Sequence, residues 1–357
     1  MKVVITGSHF SPAYAVIKKS DWEVVVVGRK YALHNSKKPS YEYKICEENK
    51  IPFQAIKVPR FSRVSPFRSI LSSFSLMKSI KVARKILRKT NPDVVISFGG
   101  YIALPVVIAA YIMKKPVIIH EQTLGAGFSN KISARFAKRV LISFSFSRKH
   151  FPKKKTYLTG NPIREEILNK EAIKPVIKTE KKIIYVTGGS TGSMAINDLL
   201  GKIIPSLSEY FIIHQHGISD KNTFQHLSNY LAKPYFSPTE VAWIMQNASL
   251  IISRSGINTV TEALYLGTPA IFIPLPYGQK NEQLKNARYA EKHGRAKYFI
   301  QEKVTGREMI SAIRDMMRKG RLKKIDPKMK RHENAAEHIV YEAEKLYQRA
   351  KERASKR

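Results

Sequence analysis

Four times in this chain a short apolar run ends in a Gly/Ser turn and passes straight into a helix-forming segment, twice in each half. The first half holds Lys2-Val-Val-Ile-Thr-Gly-Ser-His9 and Val94-Val-Ile-Ser-Phe-Gly-Gly-Tyr101. The second holds Ile183-Ile-Tyr-Val-Thr-Gly-Gly-Ser-Thr-Gly192 and Leu250-Ile-Ile-Ser-Arg-Ser-Gly-Ile-Asn258. A continuous apolar run bounded by small residues suits a strand covered on both faces, as in a parallel sheet. The turn lets a ligand approach the backbone, and the next helix offers unpaired N–H groups to a phosphate. Units of this kind in both halves predict an α/β chain of two doubly wound, Rossmann-like domains, with a ligand cleft between them.

The length of 357 residues exceeds one ordinary core and suits two domains. We expect a first domain over 1–160, a linker over 161–182, a second domain over 183–330, and a C-terminal helix with a basic tail over 331–357. Strands are predicted at 2–6, 23–27, 54–57, 94–98, 117–119, 139–143 and 156–158. They resume at 183–187, 210–214, 234–236, 250–253, 270–273 and 297–299. Helices are predicted between them, including 69–89, 194–206, 221–231, 257–266 and 280–293. The last helix either crosses back onto the first domain or lies free.

A single cysteine, Cys46, allows no internal disulfide and points to a reducing compartment. The N-terminus carries no secretory-signal pattern, because Met1-Lys2 leads directly into a strand. The longest apolar stretch, Tyr101–Met113, is broken by Pro105 and closed by Lys114-Lys115, short of the ~20 residues a membrane span needs. Lysine and arginine number 63 against 27 acids, a formal charge of +36. Nucleic acid, an anionic membrane surface and phosphorylated substrates would each answer that charge, as would plain compositional bias. No zinc-finger spacing, basic zipper or RNP-type aromatic pattern supports nucleic acid. Between Phe61 and Thr90 the chain is almost free of acids. Phe67, Ile70, Leu71 and Phe74 recur there at helical spacing, flanked by Arg63, Arg68, Lys78 and Lys81. Such a stripe suits an interfacial membrane contact, or else the core face of a helix.

The chemistry-bearing candidates sit at the strand ends. Gly188-Gly-Ser-Thr-Gly192 is a phosphate-loop pattern, and Asn197, one turn into the next helix, reads as a packing residue. Ser255-Gly256 opens a helix carrying Asn258, Thr259 and Glu262, where a carboxylate could take both hydroxyls of a ribose. Arg254 would either neutralise phosphate or brace the loop. Gln279, Glu282 and Gln283 could bind sugar hydroxyls. His9 follows the first turn and could act as a general base. Gly99-Gly-Tyr101 and His120-Glu-Gln122 close two further strands. Histidine, cysteine and aspartate never recur at metal-ligand spacing, so no metal or cofactor is expected. A nicotinamide site is disfavoured, because Gly7-Ser-His-Phe-Ser-Pro12 is not Gly-X-Gly-X-X-Gly.

In order, Thr6-Gly-Ser-His-Phe-Ser-Pro12, Gly99-Gly-Tyr101, His120-Glu-Gln122, Ala137-Lys-Arg-Val140, Gly160-Asn-Pro-Ile-Arg164, Gly188-Gly-Ser-Thr-Gly192, Ser253-Arg-Ser-Gly256 with Glu262, and Glu282-Gln283 resemble the motif series of the MurG family. These are GT-B enzymes that move N-acetylglucosamine from UDP-N-acetylglucosamine to the muramoyl 4-hydroxyl of lipid I, forming lipid II for peptidoglycan. The resemblance implies an inverting, metal-free displacement. It assigns Arg164, Ser190, Thr191, Gly192, Ser255, Gly256, Asn258, Thr259, Glu262, Glu282 and Gln283 to the donor, with Leu264 flanking it and uracil near Tyr235-Phe236-Ser237. It assigns Gly7, Ser8, Gly99, Gly100, Tyr101, His120, Glu121, Gln122 and Thr123 to the acceptor, with His9 as base. It places the enzyme peripherally on the cytoplasmic face of the plasma membrane, on anionic phospholipid, with other wall-synthesis proteins as further partners. Ser8, Ala13, Thr123 and Glu282 depart from the family pattern. Two alternatives therefore stay open: a related GT-B transferase for another lipid acceptor, or a non-catalytic UDP-sugar-binding scaffold.

Overall fold

The computed structural model describes residues 1–7, 9–31, 39–58, 66–168, 173, 175, 177, 179–189, 192–217, 227–276, 281–322 and 324–355, with the side chains of 66–74 and 354 excepted. The chain forms two compact units. One comprises Met1–Pro162 with Asn334–Arg357, and the other comprises Ile163–Glu333.

The first unit alternates β1 (Lys2–Thr6), α1 (Phe10–Lys18), β2 (Glu23–Gly28), α2 (Tyr41–Glu48), β3 (Phe53–Ala55), α3 (Pro66–Thr90), β4 (Val94–Ser97), α4 (Ala103–Ile112), β5 (Val117–Glu121), α5 (Phe128–Phe136), β6 (Arg139–Ile142) and β7 (Thr156–Leu158). The strands form one parallel sheet in the order β3-β2-β1-β4-β5-β6-β7. The chain builds outward from β1 to β3, then crosses to β4 on the other side of β1. That reversal leaves a crevice beyond the carboxyl ends of β1 and β4. Val3, Val4, Val94, Val95 and Ile96 are wholly buried, as strands covered on both faces require. On α3, Ser79, Ala83 and Leu87 form the buried face at four-residue spacing, whereas Met77 and Val82 are exposed.

The second unit comprises α6 (Glu165–Leu168), β8 (Ile183–Thr187), α7 (Met194–Ile203), β9 (Phe211–Gln215), β10 (Tyr230–Lys233), α8 (Pro238–Asn247), β11 (Leu250–Ser253), α9 (Ile257–Leu266), β12 (Ala270–Phe272), α10 (Glu282–His293), β13 (Ala296–Tyr298), α11 (Gly306–Lys319) and α12 (Lys330–Glu333). Its parallel sheet runs β10-β9-β8-β11-β12-β13, so its reversal lies between β8 and β11.

Three expectations need correction. Of the segment read as a linker over 161–182, Ile163, Ile167 and Ile177 are buried in the core of the second unit. Its charged composition hides these spaced isoleucines. Of the two placements left open for the last helix, α13 (Ala335–Ser355) takes the first, as a component of the first unit. Its Ala336, Ile339 and Ala343 bury against Phe10, Ala13 and Val16 of α1, and Lys19–Glu337 and Arg139–Glu342 pair at its margins. The strand predicted at 234–236 lies at Tyr230–Lys233. Pro234 has no N–H to continue the ladder, so the strand stops before it. The helix predicted over 221–231 conflicts with that strand at 230–231, and its 221–226 portion lies outside the described residues.

Candidate functional site

In the first unit the switch point brings the two glycine turns into contact. Phe98 N donates to Thr6 O at 2.7 Å, and a side chain on Gly7 would start 2.9 Å from the Phe98 carbonyl carbon. Gly7, Gly99 and Gly100 have φ of 145°, 76° and 82°, values that L side chains rarely adopt. His9 stands between the turn and α1, and its Nδ1 lies 3.2 Å from Phe98 O. A carbonyl only accepts, so Nδ1 is the donor of this bond, and in the neutral tautomer that makes it the lone pair lies at Nε2. Tyr101 is half-buried under the Arg29 guanidinium, 5.9 Å from its ring centre, and Arg29 is paired with Glu42. Ser8 lies outside the described residues.

The His120–Thr123 segment differs from its expected acceptor-contact role. All four residues are buried. Glu121 Oε1 accepts from Thr123 N at 3.0 Å and from its hydroxyl at 2.7 Å, while Oε2 accepts from Gly127 N at 2.9 Å and Asn130 Nδ2 at 3.0 Å. Four donors fill the carboxylate's lone pairs. His120 Nε2 donates to Gly160 O at 3.0 Å, and its Nδ1 accepts from Gln122 at 3.1 Å. The segment is an internally satisfied brace. It holds Asn130, whose amide would meet a side chain on Gly99 at 2.9 Å. Sequence reasoning missed Asn130, which sits inside a helix with no local signal.

In the second unit the expected ribose carboxylate is held from behind. Arg164 Nε donates to Glu262 Oε1 at 2.8 Å and Nη2 to Oε2 at 2.7 Å, with Glu262 only 3% exposed. This fork fixes the plane of the carboxylate and leaves each oxygen a further lone pair. Beneath it Tyr185 is fully buried, and burial pushes its hydroxyl up to about 12, so it stays neutral. The turn before α9 is tied to α10: Ser255 Oγ donates to Gln283 O at 2.8 Å, and Asn286 Nδ2 to Ser255 O at 3.1 Å. Gly256 caps α9, whose first turn carries half-buried Asn258 and Thr259. Gln283 Oε1 accepts from Leu275 N at 3.0 Å, which orients the side chain at the start of α10 next to Glu282.

Arg254 resolves to the bracing alternative. Its Nη1 donates to Ile273 O at 3.0 Å and its Nη2 to Gln301 at 2.7 Å, with burial lowering its pKa. Leu264 is core, pressed against Gly294, where an added Cβ would lie 2.2 Å from it. Phe236 is likewise core, and Ser237 caps α8. Of the phosphate loop, Gly188, Gly189 and Gly192 are described, whereas Ser190 and Thr191 are not, and Gln279 before α10 likewise lies outside the described residues. A side chain on Gly188 would lie 2.2 Å from Ser193 N, so the backbone folds directly over the start of α7.

Two doubly wound units of this kind define the GT-B fold of glycosyltransferases. The chain matches the glycosyltransferase family 28 N-terminal domain over residues 3–142 and the family's C-terminal domain over residues 183–346. It is 34% identical over 330 residues, covering 88% of this chain and 89% of the relative, to the UDP-N-acetylglucosamine–N-acetylmuramyl-(pentapeptide) pyrophosphoryl-undecaprenol N-acetylglucosamine transferase of Clostridium botulinum. It is 32% identical over 354 residues, covering 95% and 96%, to the transferase of the same name from Clostridium perfringens. The crystal structure of Acinetobacter baumannii MurG superposes with a TM-score of 0.69 at 24% identity, over 96% of this chain and 99% of that one. The chain belongs to glycosyltransferase family 28, within the MurG group.

Proposed function

We propose that this chain transfers N-acetylglucosamine from UDP-N-acetylglucosamine to the muramoyl 4-hydroxyl of lipid I, yielding lipid II and UDP. The observation that carries the mechanism is the contact of His9 Nδ1 with Phe98 O, which in the neutral tautomer leaves Nε2 as the ring's acceptor. In the proposed step Nε2 takes the proton from the acceptor hydroxyl. The oxygen then forms its bond to the anomeric carbon as the bond to the UDP oxygen breaks, with inversion. Glu262, oriented by Arg164, accepts from the ribose hydroxyls. The backbone of Gly188, Gly189 and Gly192 and the α7 N-terminus receive the negative charge that grows on the leaving diphosphate. Gln283 with Glu282 meets the sugar, and Gly7, Gly99 and Gly100 allow the acceptor's diphosphate to approach the first unit's backbone. His120–Thr123 act in this scheme by bracing those turns.

The test is transfer of radiolabelled N-acetylglucosamine from its UDP donor to lipid I in anionic liposomes, with diacylglycerol as a parallel acceptor. Label on lipid I is the expected result. Label on diacylglycerol alone, or donor binding without product, overturns the proposed reaction.

No helix among the described residues is long and apolar enough to cross a membrane. A lipid acceptor then calls for a surface contact, which we place on the cytoplasmic face of the plasma membrane at the start of α3. There Phe67, Ile70, Leu71 and Phe74 lie on the helix, though their side chains are outside the described set. Further along, exposed Met77 and Val82 stand among exposed Lys78, Lys81 and Lys85 and support the reading. Replacing Phe67, Ile70 and Phe74 by serine is expected to cut binding to anionic vesicles at least about tenfold, since apolar burial and basic residues both contribute. Thermal unfolding should be unchanged. A large fall in melting temperature would instead make these residues core.

A further inference from the structure

A polar chain runs through the second unit on the side of the sheet that carries α7, and its end bears on the glycine loop. Tyr230 hydroxyl lies 2.7 Å from His214 Nδ1, His214 Nε2 lies 3.1 Å from Asn197 Oδ1, and Asn197 Nδ2 donates to His216 O at 3.0 Å. All four residues are buried. The proton order has one solution. The His216 carbonyl requires a donor, so the Asn197 amide nitrogen faces it and Oδ1 faces His214. His214 Nε2 must then carry the hydrogen, and Nδ1 must accept from Tyr230. Burial, with His216 adding to it, lowers the pKa of His214 to about 3, so the ring stays neutral and the order holds at working pH.

The far end of this chain sets the loop. A side chain on Gly192 would lie 2.6 Å from His216 O and 2.9 Å from Gly217 Cα, so the loop backbone packs directly on the carbonyl that Asn197 holds. The neighbouring residue grips the other limb: Gln215 Nε2 reaches Gly189 O at 3.3 Å and Thr187 Oγ1 at 3.4 Å, while Gly189 N donates to Thr187 Oγ1 at 3.0 Å. The end of β9 thus touches both limbs of the loop.

We infer that Asn197 and His214 are positioning residues for the donor's diphosphate, holding Gly189 and Gly192 in place through the end of β9. The inference rests on the donor site proposed above. It predicts a loss confined to phosphate recognition, because Glu262 on α9 is held independently by Arg164. On the full chain, dissociation constants would be measured by calorimetry for UDP and, by competition, for uridine, which lacks the phosphates. Asn197→Asp keeps the acceptor for His214 but opposes an oxygen to the His216 carbonyl. His214→Phe removes the donor, whereas His214→Gln restores an N–H near the Nε2 position.

Asn197→Asp and His214→Phe are expected to weaken UDP about tenfold, the scale of one buried hydrogen bond, with uridine within about twofold. His214→Gln should stay within about threefold of the parent. Should either variant fail to fold, Tyr230→Phe removes only the terminal hydroxyl and should still weaken UDP selectively. Unchanged UDP affinity in Asn197→Asp, or uridine falling in step with UDP, overturns the positioning role. Gly192→Ala separates the two readings. If it weakens UDP while Asn197→Asp does not, only the relay falls; if it too leaves UDP binding intact, the loop does not hold the diphosphate and both fall.

Discussion

Glu262→Ala is expected to weaken UDP binding by on the order of a hundredfold, because two ribose hydroxyls lose a fixed, charged acceptor at once. The same change strands Arg164, whose side chain is only 19% exposed. Removing one member of a buried pair costs about 3–5 kcal/mol in stability, so the single variant should also unfold more easily. The double variant Arg164→Ala/Glu262→Ala separates these effects. It removes both charges, so stability should recover relative to Glu262→Ala while UDP affinity remains lost. Arg164→Lys supplies charge without the fork, and one ammonium cannot hold both carboxylate oxygens in plane. It should raise the UDP dissociation constant about tenfold with little change in melting temperature. UDP affinity unchanged in Glu262→Ala, by calorimetry on folded protein, would remove Glu262 from the ribose site.

How much of this was legible beforehand follows from the range of the forces involved. The runs Val94–Ser97 and Ile183–Thr187 announce buried parallel strands because burial on both faces makes them almost continuously apolar up to a small polar residue at the end. The glycine turns at Gly7, Gly99 and Gly188 are readable for a similar reason, since the backbone there tolerates no side chain. What the sequence hides is partnership at long range. Arg164 and Glu262 are 98 residues apart, and only the fold joins them. The role of His120–Thr123 depends on Asn130 and Gly160, so residues that look presented at a strand end prove to be consumed inside. His214-Gln-His216 carries a weaker signal of its own, a polar triplet at the end of an apolar strand, as His120-Glu-Gln122 is at the end of β5. The place of α13 was undecidable from its charged composition, because its three small or branched contacts with α1 are a minor part of the helix.

Replacing His9 should lower turnover by about 10²–10⁴-fold, the usual contribution of a positioned general base, while UDP affinity stays unchanged. Alanine alone does not make the case, since His9 also caps the approach to α1 and bonds Phe98 O, either of which could matter to the turn. His9→Asn distinguishes the roles. Its Nδ2 can take the place of the ring Nδ1 and keep the bond to Phe98 O, yet it has nothing at the Nε2 position to accept a proton. If His9 is the base, His9→Asn is as slow as His9→Ala, and added imidazole speeds only the alanine variant, where the ring's space is vacant. If His9 serves the turn, His9→Asn restores turnover and imidazole does nothing. The geometry favours the first result: the bond to Phe98 selects the neutral tautomer with its lone pair at Nε2, the form that a base needs.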